Sequence, residues 1–139
     1  MFERIVYVSR AVPGIGAAQT YDIIRHAHNR NQARGLTGAL LLLDGWFVQA
    51  LEGEPFRLQP CFERIARDPR HEALSLRLQV QAEQRLFPDQ WMALRLGQDL
   101  PPGLLQQWDY EPGLPAARFD GLRLQALLQA CCEHAAHAA

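Results

Sequence analysis

A single domain of the α+β class is what this sequence predicts, on three observations. Its 139 residues, 48% hydrophobic and 21% charged, suffice for one buried core and leave little for a second. Segments of strand character and of helical period follow one another in the order β-α-β-β-α-β, with an extra strand after them. Asp44-Gly45, set between two apolar runs, is a strong hairpin signal that makes the two middle strands neighbours.

Each element has its own warrant. Arg4 to Ser9 is rich in β-branched and aromatic residues and reads as a buried first strand. Pro13 and Gly14 mark a loop, and Thr20 to about Gln32 turns helical, with Ile23, Ile24 and Ala27 on one side. Thr20 fits an N-cap there and Gly35 a stop. Leu36 to Leu43 suits a central strand, and Trp46 to Leu51 is its return. Gly53-Glu54-Pro55 opens a second helix carrying Leu58, Phe62 and Ile65, which ends before Pro69. Pro60 predicts a late start or a kink near its first turn. Ala73 to Glu83 reads as a fourth strand with Leu74, Leu76, Leu78 and Val80 alternating, and a short fifth lies near Met92 to Leu96. This order predicts the ferredoxin-like arrangement, two helices over one face of a sheet.

Composition changes after Gly97. Pro101, Pro102, Gly103, Pro112, Gly113 and Pro115 punctuate a short helical piece with Leu104, Leu105 and Trp108. A last helix is expected from roughly Ala116 to Ala135, with Leu124, Leu127, Leu128 and Cys131 at helical spacing. The chain thus divides into a domain over 1–97 and a helical extension over 98–139. The apolar stripe of that extension packs on the sheet's other face or on a second subunit.

Charge and composition exclude several functions. The net charge of -1 comes from 14 basic and 15 acidic residues with no basic block, so no nucleic-acid footprint is expected. The N-terminus lacks the apolar core of a signal peptide. The longest apolar run, Ala39 to Leu43, is far short of the roughly 20 residues that span a bilayer. Cys61, Cys131 and Cys132 make neither a disulfide framework nor a zinc site, which points to a reducing, cytoplasmic setting. His26, His28, His71, His134 and His137 lack the spacing of a metal site, and no metal is expected. Gly14-Ile15-Gly16 is not a phosphate-binding fingerprint. Ser9 has no base near it in sequence, so hydrolytic chemistry has little support.

Three polar residues stand apart in apolar surroundings. Alternation in the third strand puts Phe47, Gln49 and Leu51 on one face and Trp46, Val48 and Ala50 on the other. The Gln49 amide therefore enters a buried environment and needs partners, which neighbouring backbone could supply. Asn31 continues the stripe of the first helix, or caps its C-terminus. Tyr7 shares a strand face with Ile5 and Ser9 and reads as packing with one satisfied hydroxyl. Together, a phenol and two amides on elements that this fold brings close can surround a planar heterocycle bearing carbonyls and ring nitrogens.

Five segments carry a resemblance. Tyr7-Val8-Ser9-Arg10-Ala11, Asn31 through Leu36-Thr37-Gly38, Phe47 through Gly53, Arg67-Asp68-Pro69-Arg70-His71 and Phe87 through Met92 occur in one order over roughly residues 1–97. In this set the sequence resembles the BLUF domains, blue-light sensors that use FAD. The resemblance implies a flavin (FAD, with FMN or riboflavin as alternatives) held between the two helices. It implies that Tyr7 is photoactive, giving up an electron and a proton, and that Gln49 switches its hydrogen bonds. Asn31, Arg30 and His71 match flavin-contacting positions. Met92 matches the methionine that passes the signal on, with Trp91 beside it. One departure is visible: the family often carries tryptophan two residues before that methionine, where this chain has Gln90.

The resemblance further implies a sensor rather than an enzyme, acting through an unidentified downstream signalling protein and forming a homo-oligomer, at least a dimer. No nucleic acid and no membrane enter this reading. Two rivals use the same fold. One is an acylphosphatase-like hydrolase with Arg10 as its phosphate-binding arginine; the other is a flavin-free dimeric interaction module.

Overall fold

The computed structural model describes residues 1–14 and 16–137, and at positions 17, 20, 21, 24 and 134–137 the backbone alone. The expected capping by the Thr20 side chain, the side chains of Ile24, His134 and His137, and Ile15 lie outside the described residues.

The elements run β1 (Phe2–Ala11), α1 (Ala17–Arg34), β2 (Thr37–Leu43), β3 (Trp46–Gly53), α2 (Pro55–Ala66), β4 (His71–Ala82) and β5 (Ala93–Leu96). After them come α3 (Leu104–Gln107) and α4 (Gly121–His137). The strands form one sheet in the order β4-β1-β3-β2-β5, antiparallel except that β5 runs parallel to β2. This is the ferredoxin-like α+β fold with one added strand. The turn between β2 and β3 has positive φ at both Asp44 (51°) and Gly45 (81°), the geometry that Asp-Gly hairpins favour.

Alternation along the central strands separates two cores. Ile5, Leu36, Leu40, Phe47, Leu51 and Met92 pack with Leu58 and Cys61 of α2 on one face. Val6, Val8, Ala39, Leu41, Val48 and Ala50 pack with Leu124, Leu127, Leu128 and Cys131 of α4 on the other, under Phe119 and Leu114. Of the two expected homes for the C-terminal stripe, the sheet's second face is the one it takes. No described helix is long and apolar enough to cross a membrane.

Four expectations need correction. Helix α1 begins at Ala17 rather than Thr20: the Gly16 N–H is taken by Gln19 Oε1 at 2.6 Å, so a glutamine three residues on serves the end of a helix whose N-cap is a glycine. Helix α2 starts directly at Pro55 and runs through Pro60, which has no N–H to give to the Phe56 carbonyl. Helix α4 begins at Gly121, five residues later than expected, because Asp120 Oδ1 accepts the Arg123 N–H at 2.9 Å and caps it. Strand β4 does not alternate simply. It slips against β1 between Val6 and Tyr7 and again between Val8 and Arg10, so Leu78 faces the α4 core while Leu76 lies opposite Tyr7 and is exposed.

The α4 face also buries charge. Arg4 Nε donates to Glu52 Oε2 at 2.9 Å across β1 and β3, and the Glu52 carboxylate accepts the Leu86 and Phe87 N–H groups at 2.8–3.0 Å. Arg4 reaches on to the Gln84 carbonyl and to Gln125 of α4. The loop that leads into β5 is thereby pinned to the sheet.

Candidate functional site

A cleft open to solvent, with about 50 Å3 of free internal space, lies between α1, α2 and the sheet. The sheet supplies Tyr7, Leu40, Phe47, Gln49 and Leu51, with Met92 just before β5. Helix α1 supplies Ile23, Ala27, Arg30 and Asn31, and α2 supplies Cys61 and Ile65. Asp68, Arg70 and His71 close the far side.

Tyr7 and Gln49 are direct partners across β1 and β3, so the pleat aims both side chains the same way. The Tyr7 hydroxyl donates to Gln49 Oε1. Gln49 Nε2 points at the Met92 sulfur, 3.5 Å away. Tyr7 is 3% and Gln49 4% exposed, so bulk water does not compete for these groups. Burial pushes the Tyr7 phenol well above its ordinary range, with smaller contributions from Cys61 and Asp68. It holds its proton at any ordinary pH.

Asn31 is buried, and its Nδ2 donates to the Trp91 carbonyl at 2.6 Å, tying α1 to the segment before β5. The cap of α1 is Gly35, whose N–H bonds the Asn31 carbonyl, so the Asn31 side chain is free of a capping role. His71 spans two elements. Its Nε2 lies 2.5 Å from the Ile65 carbonyl and its Nδ1 2.7 Å from Ser9 Oγ. A carbonyl only accepts, so neutral His71 carries its proton on Nε2 and accepts the Ser9 hydroxyl at Nδ1. Ser9 is thereby occupied as a structural partner.

Sequence reasoning picked Tyr7, Arg30, Asn31, Gln49, His71 and Met92, and the fold gathers all six around the cleft. Trp91 is not among the lining residues; it contributes its backbone carbonyl to Asn31. Arg10 goes to the opposite face and lies over the Trp46 ring at 5.9 Å, away from Asn31. Asp68, Arg70 and Cys61 were not singled out. Asp68 and Arg70 form a two-pronged pair with contacts of 2.5–3.0 Å, and that hydrogen bonding holds the Asp68 carboxyl below its usual range. The spacing of an acid and a base around Pro69 was the available signal. Burial pushes the Cys61 thiol up, against the opposing pull of Arg30, Arg64 and Arg34.

The donor set fits a flavin ring. Among the described residues, Gln49 Nε2 has only a thioether, a weak acceptor, to bond, and Asn31 Oδ1 takes no hydrogen bond. Buried amides with spare capacity, facing a space walled by Leu40, Phe47 and Ile65, match a flat apolar ring system with carbonyl and nitrogen edges.

The comparisons agree. A family profile described as sensors of blue-light using FAD matches residues 2–93. The photoactivated adenylate cyclase subunit beta of Euglena gracilis is 32% identical over 87 residues, 63% of this chain and 10% of that protein. This chain therefore spans about a tenth of the curated relatives it matches. The dark-state structure of BlrB, a BLUF protein, superposes with a TM-score of 0.77 at 27% identity, covering 98% of this chain and 96% of that one. A bacterial light-regulated adenylyl cyclase gives 0.72 at 27% identity, covering 77% of this chain and 31% of its own. The chain belongs to the BLUF family, the flavin-binding sensors of blue light.

Proposed function

We propose that Tyr7 is the light-driven electron and proton donor of this sensor and that Gln49 is its switch. The observation that carries this is the buried hydrogen bond from the Tyr7 hydroxyl to Gln49 Oε1, continued by Gln49 Nε2 toward Met92. Bound in the cleft as FAD, an oxidised flavin supplies absorption of blue light and an excited state that accepts one electron. Asn31, Arg30 and His71 hold it, Asn31 through its spare amide oxygen.

Tyr7 cannot lose its proton first, because burial keeps the phenol protonated. It gives up the electron, and the proton follows along the bond to Gln49. Both return to Tyr7, so no substrate is consumed and no net bond is made. Gln49 is left turned about its terminal torsion, with oxygen and nitrogen exchanged. In the arrangement described above, a hydroxyl donates to the Gln49 oxygen and the Met92 sulfur accepts weakly from its nitrogen. After the exchange Nε2 still has the Tyr7 oxygen to bond, but Oε1 faces the Met92 sulfur, and two acceptors repel. Met92 must move. It stands immediately before β5, beside Trp91, whose carbonyl ties to Asn31 of α1, and this is the route by which the change leaves the site.

A BLUF domain by itself is a sensor module, so the output acts through contacts with another protein. Residues 1–97 carry the sensing and residues 98–139 form the extension that reports it, in a cytoplasmic homo-oligomer. The test is absorption spectroscopy on flavin-loaded protein before and after blue light. The native chain is expected to show a reversible red shift of the visible band, absent from both Tyr7→Phe and Gln49→Ala. A normal shift in either variant overturns the assignment.

A further inference from the structure

The two sides of β5 are built differently. Met92 and Leu94 pack on the side of Tyr7 and Gln49, while Ala93 and Arg95 turn toward α4. Arg95 lies opposite Leu41 of the apolar core and beside Cys131 and Cys132 of α4. Burial pushes both thiols up, and the Arg95 charge pulls them back. Its Nη1 donates to the carbonyl of the preceding residue, Leu94, at 2.7 Å, and its Nε is buried with no hydrogen-bond partner. Among the described residues no carboxylate pairs with it. Arg4, on the same face, has Glu52, Gln84 and Gln125. A buried guanidinium short of acceptors is costly and persists only where the packing around it enforces it.

The chain leading into β5 is fastened upstream. Leu86 and Phe87 give their N–H groups to Glu52, and the Gln90 carbonyl accepts the Gly38 N–H at 3.0 Å. A displacement of Met92 therefore passes along β5 rather than back into the loop. Ahead of Arg95 stands an acceptor it does not yet use. Glu133 is the only acidic residue of α4; it is exposed, and its charge acts on the same Cys132 thiol.

We propose that Arg95 couples the switch to α4: when Met92 is displaced, the guanidinium leaves its unpaired seat for the Glu133 carboxylate and loosens the C-terminal turns of α4 on the sheet. The device rests on the Gln49–Met92 switch and names what carries it through the sheet. No covalent bond changes. A cation without an acceptor gains one, and that gain favours the shifted strand.

The experiment follows hydrogen exchange of the α4 amides in flavin-loaded protein, in the dark and under blue light. Native chain, Arg95→Met and Glu133→Gln are compared. In the native chain, exchange over residues 127–133 is expected to differ about tenfold between the two conditions. Each variant is expected to keep the reversible red shift and to bring that difference within about twofold. The unliganded Arg95→Met protein is also melted. Methionine keeps an unbranched stem and removes a buried charge that lacks an acceptor, so the thermal midpoint should rise. A midpoint at or below the native one shows that the guanidinium is satisfied at rest, and overturns the device. So does a variant that keeps the tenfold difference, or a native chain that shifts its absorption band without changing α4 exchange; the Tyr7–Gln49 reading then stands. Absence of the red shift from the native chain overturns both.

Discussion

The two faces of the sheet are built from the same alternating strands and do opposite work. Toward α4, the side chains of β1, β2 and β3 are mostly aliphatic and sealed under Phe119; Arg4 and Glu52 engage each other and the loop at Leu86-Phe87, while Arg95 of β5 keeps a buried Nε without a hydrogen-bond partner. Toward α1 and α2, the same strands present Tyr7 and Gln49 to a cleft, with amide groups left partly unsatisfied. One face holds the strands still; the other keeps hydrogen-bonding capacity in reserve. A switch needs both, because an amide that turns transmits nothing unless the backbone carrying it stays put.

Substitutions on the two faces should therefore separate stability from light response. The largest stability loss is expected for Phe119→Ala, about 3–5 kcal/mol by chemical denaturation, because a fully buried ring is replaced by a cavity. Tyr7→Phe, on the opposite face, removes a hydroxyl and should cost only about 1–2 kcal/mol in the same measurement. If Tyr7→Phe destabilises as much as Phe119→Ala, the division between the faces is false. Glu52→Gln comes next, at roughly 3 kcal/mol, since it strands the Arg4 guanidinium in the interior and sets an amide N–H2 against backbone donors. A thermal midpoint within a degree of the native one would show that water replaces the carboxylate there.

The smallest effect concerns Asp68. Its carboxyl is held low in the folded chain by Arg70, so the pair stabilises above the unfolded pKa of about 3.9 and fades as pH falls through the lower folded value. The contribution is below about 1 kcal/mol, because the pair is about one-third exposed. The thermal midpoint of Asp68→Asn should fall less steeply than that of the native chain below pH 4. Parallel slopes would remove the pair from the account of the cleft's far side.

Much of this was legible in the sequence where a local rule and the global fold agree. Strong alternation in Trp46 to Leu51 placed Gln49 correctly, and Asp44-Gly45 placed the hairpin. The spacing of the five family segments named the residues that the fold gathers around the cleft. What was not legible depends on partners distant in the chain. The slips of β4 follow from how it meets β1, so Leu76 and Leu78, which look alike in sequence, face opposite ways. The start of α4 was masked by the helix-friendly Ala116-Ala117, although Asp120 held the capping signal. Glu52 gave no hint of its role, because its partners lie 34–48 residues away.

The irregularity of β4 has a consequence for the protein among its own copies. A twelve-residue strand at the rim of a sheet exposes a row of backbone groups onto which another chain could lay itself. Here the row is broken twice. Ala73 is forced to a φ of 54°, and Arg77 bends away to bond the Leu114 and Phe119 carbonyls at 2.7 Å. The opposite rim, β5, is only four residues long. Neither border of the sheet offers a long, straight template for edge-to-edge pairing with another chain.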